Sequence, residues 1–305
     1  MIIGGWGYKI KGKSAYKPTE VIDPLSKAPE CSSNKIPGVK EYPPLVTNGK
    51  YICKSGPCSE LVQGSDGKWG WNETDLNVPP GFNIWRGSGS VDVNGHWWIT
   101  NGWKGKPNKK TILLQKNKRQ FEDGPDLPEI MYDHCMALTG EGQLLIAGSS
   151  YGGSCKDSYF VDVSLVPFKF GPKRTLKHCR SGAACGVLSR YKGKKNVPIV
   201  AGGDVGGEKR TTEIWDAAKE EWVMGPNLTR SFSDGGYLTK NGGFTLLGGR
   251  FYSKKYKNIM GYNENTEEFD ILPGELQGAV GNAERAGFTA VALEDKNLLC
   301  NSTCC

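Results

Sequence analysis

Three groups of residues have types and spacings that could do chemistry. Gly7-Tyr8-Lys9-Ile10-Lys11-Gly12-Lys13-Ser14 fits the phosphate-binding pattern of a P-loop letter by letter. That chemistry needs a helix starting at the Lys-Ser pair, so that backbone amides and the helix dipole meet phosphate. Pro18 follows four residues on and a strand is expected at 20–23, so the helix is not expected and nucleotide binding is set aside. Gly148-Ser149-Ser150-Tyr151-Gly152 fits the pattern of a nucleophilic serine on a strand-to-helix elbow, which also needs a histidine base. The segment reads instead as a loop between strands. The third group is His134-Cys135, His178-Cys179 and Cys185, two of the chain's three histidines beside three of its ten cysteines. It could hold a metal, or its cysteines could be bonded in pairs; the pairing is preferred. No catalytic residue, metal or cofactor is expected.

The elements that carry these residues repeat. An apolar strand ending in small residues recurs at Ile2–Gly5, Tyr51–Gly56, Trp97–Gly102, Leu144–Ser149, Pro198–Gly203 and Phe244–Gly249, with steps of 51, 46, 47, 54 and 46 residues between the last positions. A period of about 49 residues with jitter means one supersecondary unit with insertions in its loops. Within each unit a third strand follows, as at Ile22-Asp23, Val161-Asp162, Trp215-Asp216 and Tyr262-Asn263. A fourth carries a large aromatic, as Trp69, Phe121, Phe168, Trp222 or Phe269. Four antiparallel strands per unit and six units predict an all-β, six-bladed propeller. The expected blades are 1–41 with 287–300, then 42–86, 87–131, 132–180, 181–231 and 232–286, all in one domain. The chain starts with a second strand, and 288–293 reads as a first strand without a blade, so the C-terminal strand is expected to close the ring.

These residues resemble the kelch repeat, most clearly over 200–228 and 248–276. The second unit departs from it, with Ser55-Gly56 for the double glycine, and the first lacks a fourth-strand Trp. In detail the chain is similar to the secreted, cysteine-containing kelch proteins grouped with the galactose-oxidase central domain. Galactose oxidase uses copper, two histidines, tyrosines and a Tyr–Cys crosslink, and those residues do not map one by one onto this sequence.

Composition bears on the compartment. The chain has 305 residues, 42 glycines, nine tryptophans and ten cysteines, enough to bury a core and too many cysteines for a reducing cytosol. Asn72, Asn227 and Asn301 head glycosylation sequons. Secretion is expected, although Met1–Trp6 shows no leader; the chain begins inside a structural unit, so a truncated start is expected. No membrane span is expected. If inner strands of neighbouring blades align, Cys135 meets Cys185. Cys53 and Cys58 flank a tight second-to-third-strand loop. Cys155 and Cys179 lie in loop classes that share one face of a propeller, and Cys31 remains for Cys300 or its C-terminal neighbours.

Charge is concentrated in the loops between second and third strands. They hold sixteen cations against three acids, +13 in a chain whose net charge is +7. Among these cations are Lys9, Lys11, Lys13, Lys104, Lys106, Lys109, Lys110, Lys209, Arg210, Arg250, Lys254, Lys255 and Lys257. One handedness in every blade puts these loops on one rim, where a concentrated positive field attracts anions. Interleaved aromatics, Trp6, Tyr8, Tyr16, Trp103, Tyr151, Phe251, Tyr252 and Tyr256, suit a binding surface. The expected function is non-enzymatic binding of an acidic protein or anionic glycan by a monomer, with no nucleic-acid partner. The alternatives are a galactose-oxidase-like or other propeller enzyme, and an intracellular kelch adaptor of a ubiquitin ligase, against which the sequons and cysteines argue.

Overall fold

The structure is a computed structural model that describes residues 2–3, 6–10, 13–16, 20–21, 31–32, 46–48, 50–53, 56–63, 65, 69–103, 108–164, 168–204, 210–240, 243–251, 254–275 and 289–290. Among them, strands dominate, rich in apolar residues toward the middle of each blade and broken by glycine turns. Five antiparallel blades run in series and keep the numbers of their sequence units. Blade two is Val46–Thr47, Tyr51–Cys53, Pro57–Gln63 and Trp69–Asn77. Blade three is Gly89–Val91, Trp97–Thr100, Thr111–Leu114 and Glu122–Asp123. Blade four is Cys135–Leu138, Gln143–Ala147, Asp157–Asp162 and Lys169–Phe170, with Arg174–Thr175 added on the third strand. Blade five is Ala184–Tyr191, Lys194–Ala201, Thr212–Asp216 and Glu221–Met224. Blade six is Gly236–Lys240, Gly243–Leu247, Asn258–Asn263 and Glu268–Glu275. In each, the strands pair in sequence order.

Five blades stand where six were expected. In the first unit the strands that stand in blade order are two residues each: Ile2–Ile3, Glu20–Val21 and Cys31–Ser32 form a sheet with Thr289–Ala290, while the longer Trp6–Ile10 and Lys13–Tyr16 form a sheet of their own. Ile2 pairs with Ala290 and Ile3 with Thr289. Side chains alternate along a strand, so two residues put one on each face, too little to interleave a blade interior. The P-loop-like segment runs through a hairpin of Trp6–Ile10 and Lys13–Tyr16, with Ile10 opposite Lys13. It opens no helix.

The core lies between blades. Trp97 packs with Cys53, Leu76 and Ile84 between blades two and three. Trp98 and Leu113 meet Met136, Ile146 and Tyr159 between three and four. Trp222 joins Leu145 and Val200 between four and five, and its indole Nε1 donates to Ser158 Oγ at 2.7 Å. Phe232 and Phe244 join Ile199, Met260 and Phe269 between five and six. All three of these tryptophans are at most 2% exposed, so each contributes at least the roughly 1.5–3 kcal/mol of a large apolar side chain. Toward the axis, Tyr237 of blade six spans to blade four. Its hydroxyl accepts from Met136 N at 3.0 Å and lies 3.3 Å from Met136 O.

Three disulfides staple this frame: Cys53–Cys58, Cys135–Cys185 and Cys155–Cys179, with Cα separations of 4.1, 5.4 and 4.7 Å. They are the pairs that strand alignment and loop class lead one to expect. Cys31 belongs to a short strand whose side chains are not described, and Cys300 lies outside the described residues.

Candidate functional site

The loops that precede blades three to six and the loops between their second and third strands lie on one face, because backbone bonds tie them together. Trp103 N donates to Trp85 O, Ser150 N to Tyr132 O, Asp204 N to Ser181 O and Arg250 N to Ser233 O, at 2.7 to 2.9 Å. A second chain of bonds links neighbouring blades. Asp133 N donates to Arg86 O, Gly182 N to Asp133 O and Asp234 N to Gly182 O, at 2.7 to 2.8 Å. Arg86, Asp133, Gly182 and Asp234 all have left-handed backbone, with φ of 64°, 53°, 62° and 52°. For non-glycine residues that conformation is costly and persists only where the surroundings impose it. At Gly182 glycine is required twice, since a Cβ would also lie 2.1 Å from Asp234 Oδ1.

The mouth of the ring thus has fixed backbone and variable side chains. On blades three and four it carries aromatics: Trp85, Trp103, Tyr132 and Tyr151, in series at centroid distances of 5.3, 6.2 and 6.4 Å. Trp85 is 40% and Tyr151 43% exposed. The Arg86 guanidinium lies over Trp85 at 5.7 Å and over Tyr132 at 5.2 Å. It is paired with Asp133 through Nε at 2.8 Å and through Nη2. Asp133 also accepts from Ser150 Oγ at 2.5 Å, and Ser150 Oγ lies 2.5 Å from Ser181 Oγ. On blades five and six the mouth is charged. Arg250 reaches Asp234 at 2.5 Å and Asp204 at 3.3 Å. Burial pushes the Asp234 carboxyl up despite Arg250, with Asp133 and Asp204 adding to the push. Burial opposes the charge on Arg250, but Asp234 and the other two carboxylates outweigh it and its pKa is raised.

The sequence-derived candidates fall out as follows. Lys109 contacts Pro128 O and lies 3.7 Å from Glu129; Lys110 lies 3.0 Å from Asp126. Arg210 donates to Leu228 O at 3.0 Å, and Lys257 is exposed. Lys9 and Lys13 sit on the hairpin of the first unit, and Lys254 and Lys255 on a second hairpin with Arg250–Phe251. Lys11, Lys104, Lys106, Lys209 and Asn301 lie outside the described residues. Asn72, opposite Glu60 on the outer strand of blade two, and Asn227 are both exposed.

The residues considered for catalysis or metal are otherwise engaged. Ser150 donates to a carboxylate and has no histidine partner among the described residues. The sulfurs of Cys135, Cys179 and Cys185 are in disulfides. Among the described residues no group of three or more His, Cys, Asp and Glu is placed to hold a metal. His134 is buried, with Nε2 2.6 Å from Thr100 Oγ1. Burial lowers the His134 pKa to about 4. A folded-state value below the unfolded one means stability is full above about pH 6.5 and declines as pH falls toward 4. Between pH 7 and 4 the protein is expected to lose about 3 kcal/mol more than His134→Gln does. Parallel urea-midpoint profiles for the two proteins would contradict this.

Sequence reasoning missed Trp85, Arg86, Tyr132, Asp133, Ser181, Ser233 and Asp234. The signal was present: Arg86, Asp133, Gly182 and Asp234 are 47, 49 and 52 residues apart, the period of the blades.

Fold and mouth together define a β-propeller. No family model and no curated protein matches the chain. Among solved structures it is similar to that of YjhT, with a TM-score of 0.60 and 11% identity over 88% of this chain and 91% of that one, a likeness of fold alone. No helix among the described residues is long and apolar enough to cross a membrane.

Proposed function

We propose that the chain is a kelch-type propeller that acts outside the cell as a monomer and binds an anionic glycan without transforming it. The three disulfides and the exposed Asn72 and Asn227 support a secreted glycoprotein.

The observation that carries the binding reading is the tie between loop classes at the mouth. In a propeller with one handedness throughout, the second-to-third-strand loops share one rim, and in this sequence they hold sixteen cations against three acids. Lys109 and Lys110 have acidic neighbours, but exposed pairs are worth only about 0–1 kcal/mol. A polyanion can displace such partners and gains from many contacts at once.

Retention on immobilised heparin tests this. The wild type should elute at clearly higher salt than the variant with Lys104, Lys106, Lys109 and Lys110 all changed to Glu, because surface charges are screened over about 8 Å at physiological ionic strength. Elution of both at the same low salt would show the lysines to be solubilising only.

A further inference from the structure

We propose that Trp85, Trp103, Tyr132 and Tyr151 form a saccharide subsite in which a sugar ring stacks, while Arg86 and Asp133 bond its hydroxyls. The inference rests on the reading of the ligand as a glycan and gives that ligand a place and an orientation.

Exposure is the first argument. Trp97, Trp98 and Trp222 are at most 2% exposed, whereas Trp85 at 40% and Tyr151 at 43% face solvent at opposite ends of one row. Aromatic faces presented together beside polar groups mark ligand sites more often than lone exposed apolar residues do. Rigidity is the second. Trp85 N is held by Asn83 Oδ1 at 2.9 Å, and Tyr132 N and Tyr151 N are both held by Ser149 Oγ, at 3.2 and 2.9 Å. The backbone that carries three of the four rings is therefore fixed before a ligand arrives, which lowers the entropic cost of binding.

Chemistry is the third argument. Arg86 lies over the rings of Trp85 and Tyr132 and spends Nε and Nη2 on Asp133. Among the described residues no hydrogen bond occupies its Nη1, and its side chain is 37% exposed. A guanidinium donor beside a carboxylate acceptor matches neighbouring hydroxyls, each of which both donates and accepts. The same pair is close to neutral, so the subsite by itself selects a ring with hydroxyls. Charge selection falls to the lysines farther out. Single-stranded nucleic acid also stacks on aromatics, and an oligonucleotide is therefore the competing ligand in the test.

The test is titration with a heparin-derived octasaccharide at 0.15 M and 0.5 M salt, read by calorimetry and tryptophan fluorescence. The proteins are the wild type, Trp85→Ala, Trp85→Phe, Tyr151→Ala and the fourfold lysine variant. Trp85→Ala and Tyr151→Ala should each weaken binding roughly tenfold at both salts, as loss of a stacked ring does. Trp85→Phe should recover most of the loss, and the lysine variant should bind less tightly at low salt yet keep its fluorescence response. Wild-type affinity in both alanine variants would overturn the subsite and leave the basic-rim reading standing. An unaffected lysine variant with weakened alanine variants would overturn the rim and leave the subsite. No fluorescence change in the wild type at either salt, or a larger one with a single-stranded oligonucleotide, would also overturn the subsite.

Discussion

Replacing Glu213 by alanine is expected to destabilise the protein by about 3–5 kcal/mol, the usual penalty for leaving a buried charge without its partner. Glu213 is fully buried on the third strand of blade five, and Arg180 is 1% exposed in the loop that leads into that blade. Arg180 Nε donates to Glu213 Oε1 at 3.0 Å, and the backbone amides of His178 and Lys177 donate to the same carboxylate at 3.1 and 2.6 Å. Arg180 spends its remaining donors on Gly202 O, Thr211 O and Thr211 Oγ1. Burial lowers the Arg180 pKa although Glu213 opposes the shift. Without Glu213 the guanidinium keeps its carbonyls and loses its counter-charge. Taking both charges away, as in Arg180→Met with Glu213→Leu, should restore much of the loss, because a buried pair largely offsets its own desolvation. Urea unfolding measures all three. A single variant within about 1 kcal/mol of the wild type would show that water reaches the pair.

The second large effect is that of the Cys135–Cys185 bond. It joins the inner strands of blades four and five, closes a loop of 50 residues, and both cysteines are at most 1% exposed. Loop-closure entropy for that length corresponds to about 4 kcal/mol. Changing both residues to alanine should cost about that much and leave the fold intact, since the flanking packing of Leu145, Val200 and Trp222 remains. Non-reducing peptide mapping should recover the two cysteines linked. Two free thiols, or an unchanged urea midpoint in the double variant, would contradict the staple.

What was legible in the sequence is what the backbone demands of particular residue types. The repeat could be seen because strand ends need glycine. Gly202 has φ +69°, and a Cβ there would lie 2.3 Å from Phe232 O. The fourth-strand aromatics could be seen because Trp222 and Phe269 fill the gaps between blades. The cysteine pairs followed once strands were aligned, since Cys53 faces Cys58 in register. The mouth was hidden for the opposite reason. Its positions are held by backbone N–H and C=O groups, which tolerate any side chain, so Trp85, Tyr132, Ser181 and Ser233 are equivalent in place and unlike in type. The blade count failed where strands shrink to two residues and leave no alternation to read.

The central claim, that ligand binds across the face where the loops meet, is tested most directly by amide hydrogen exchange with and without a heparin dodecasaccharide. The account predicts slowed exchange in peptides covering 82–88, 101–110, 130–134 and 149–154. Peptides over the tight turns at 116–119, 140–142 and 192–195, which join strands elsewhere, should be unchanged. Protection confined to those turns, or spread over the outer strands such as 69–77 with none at the mouth, would contradict it.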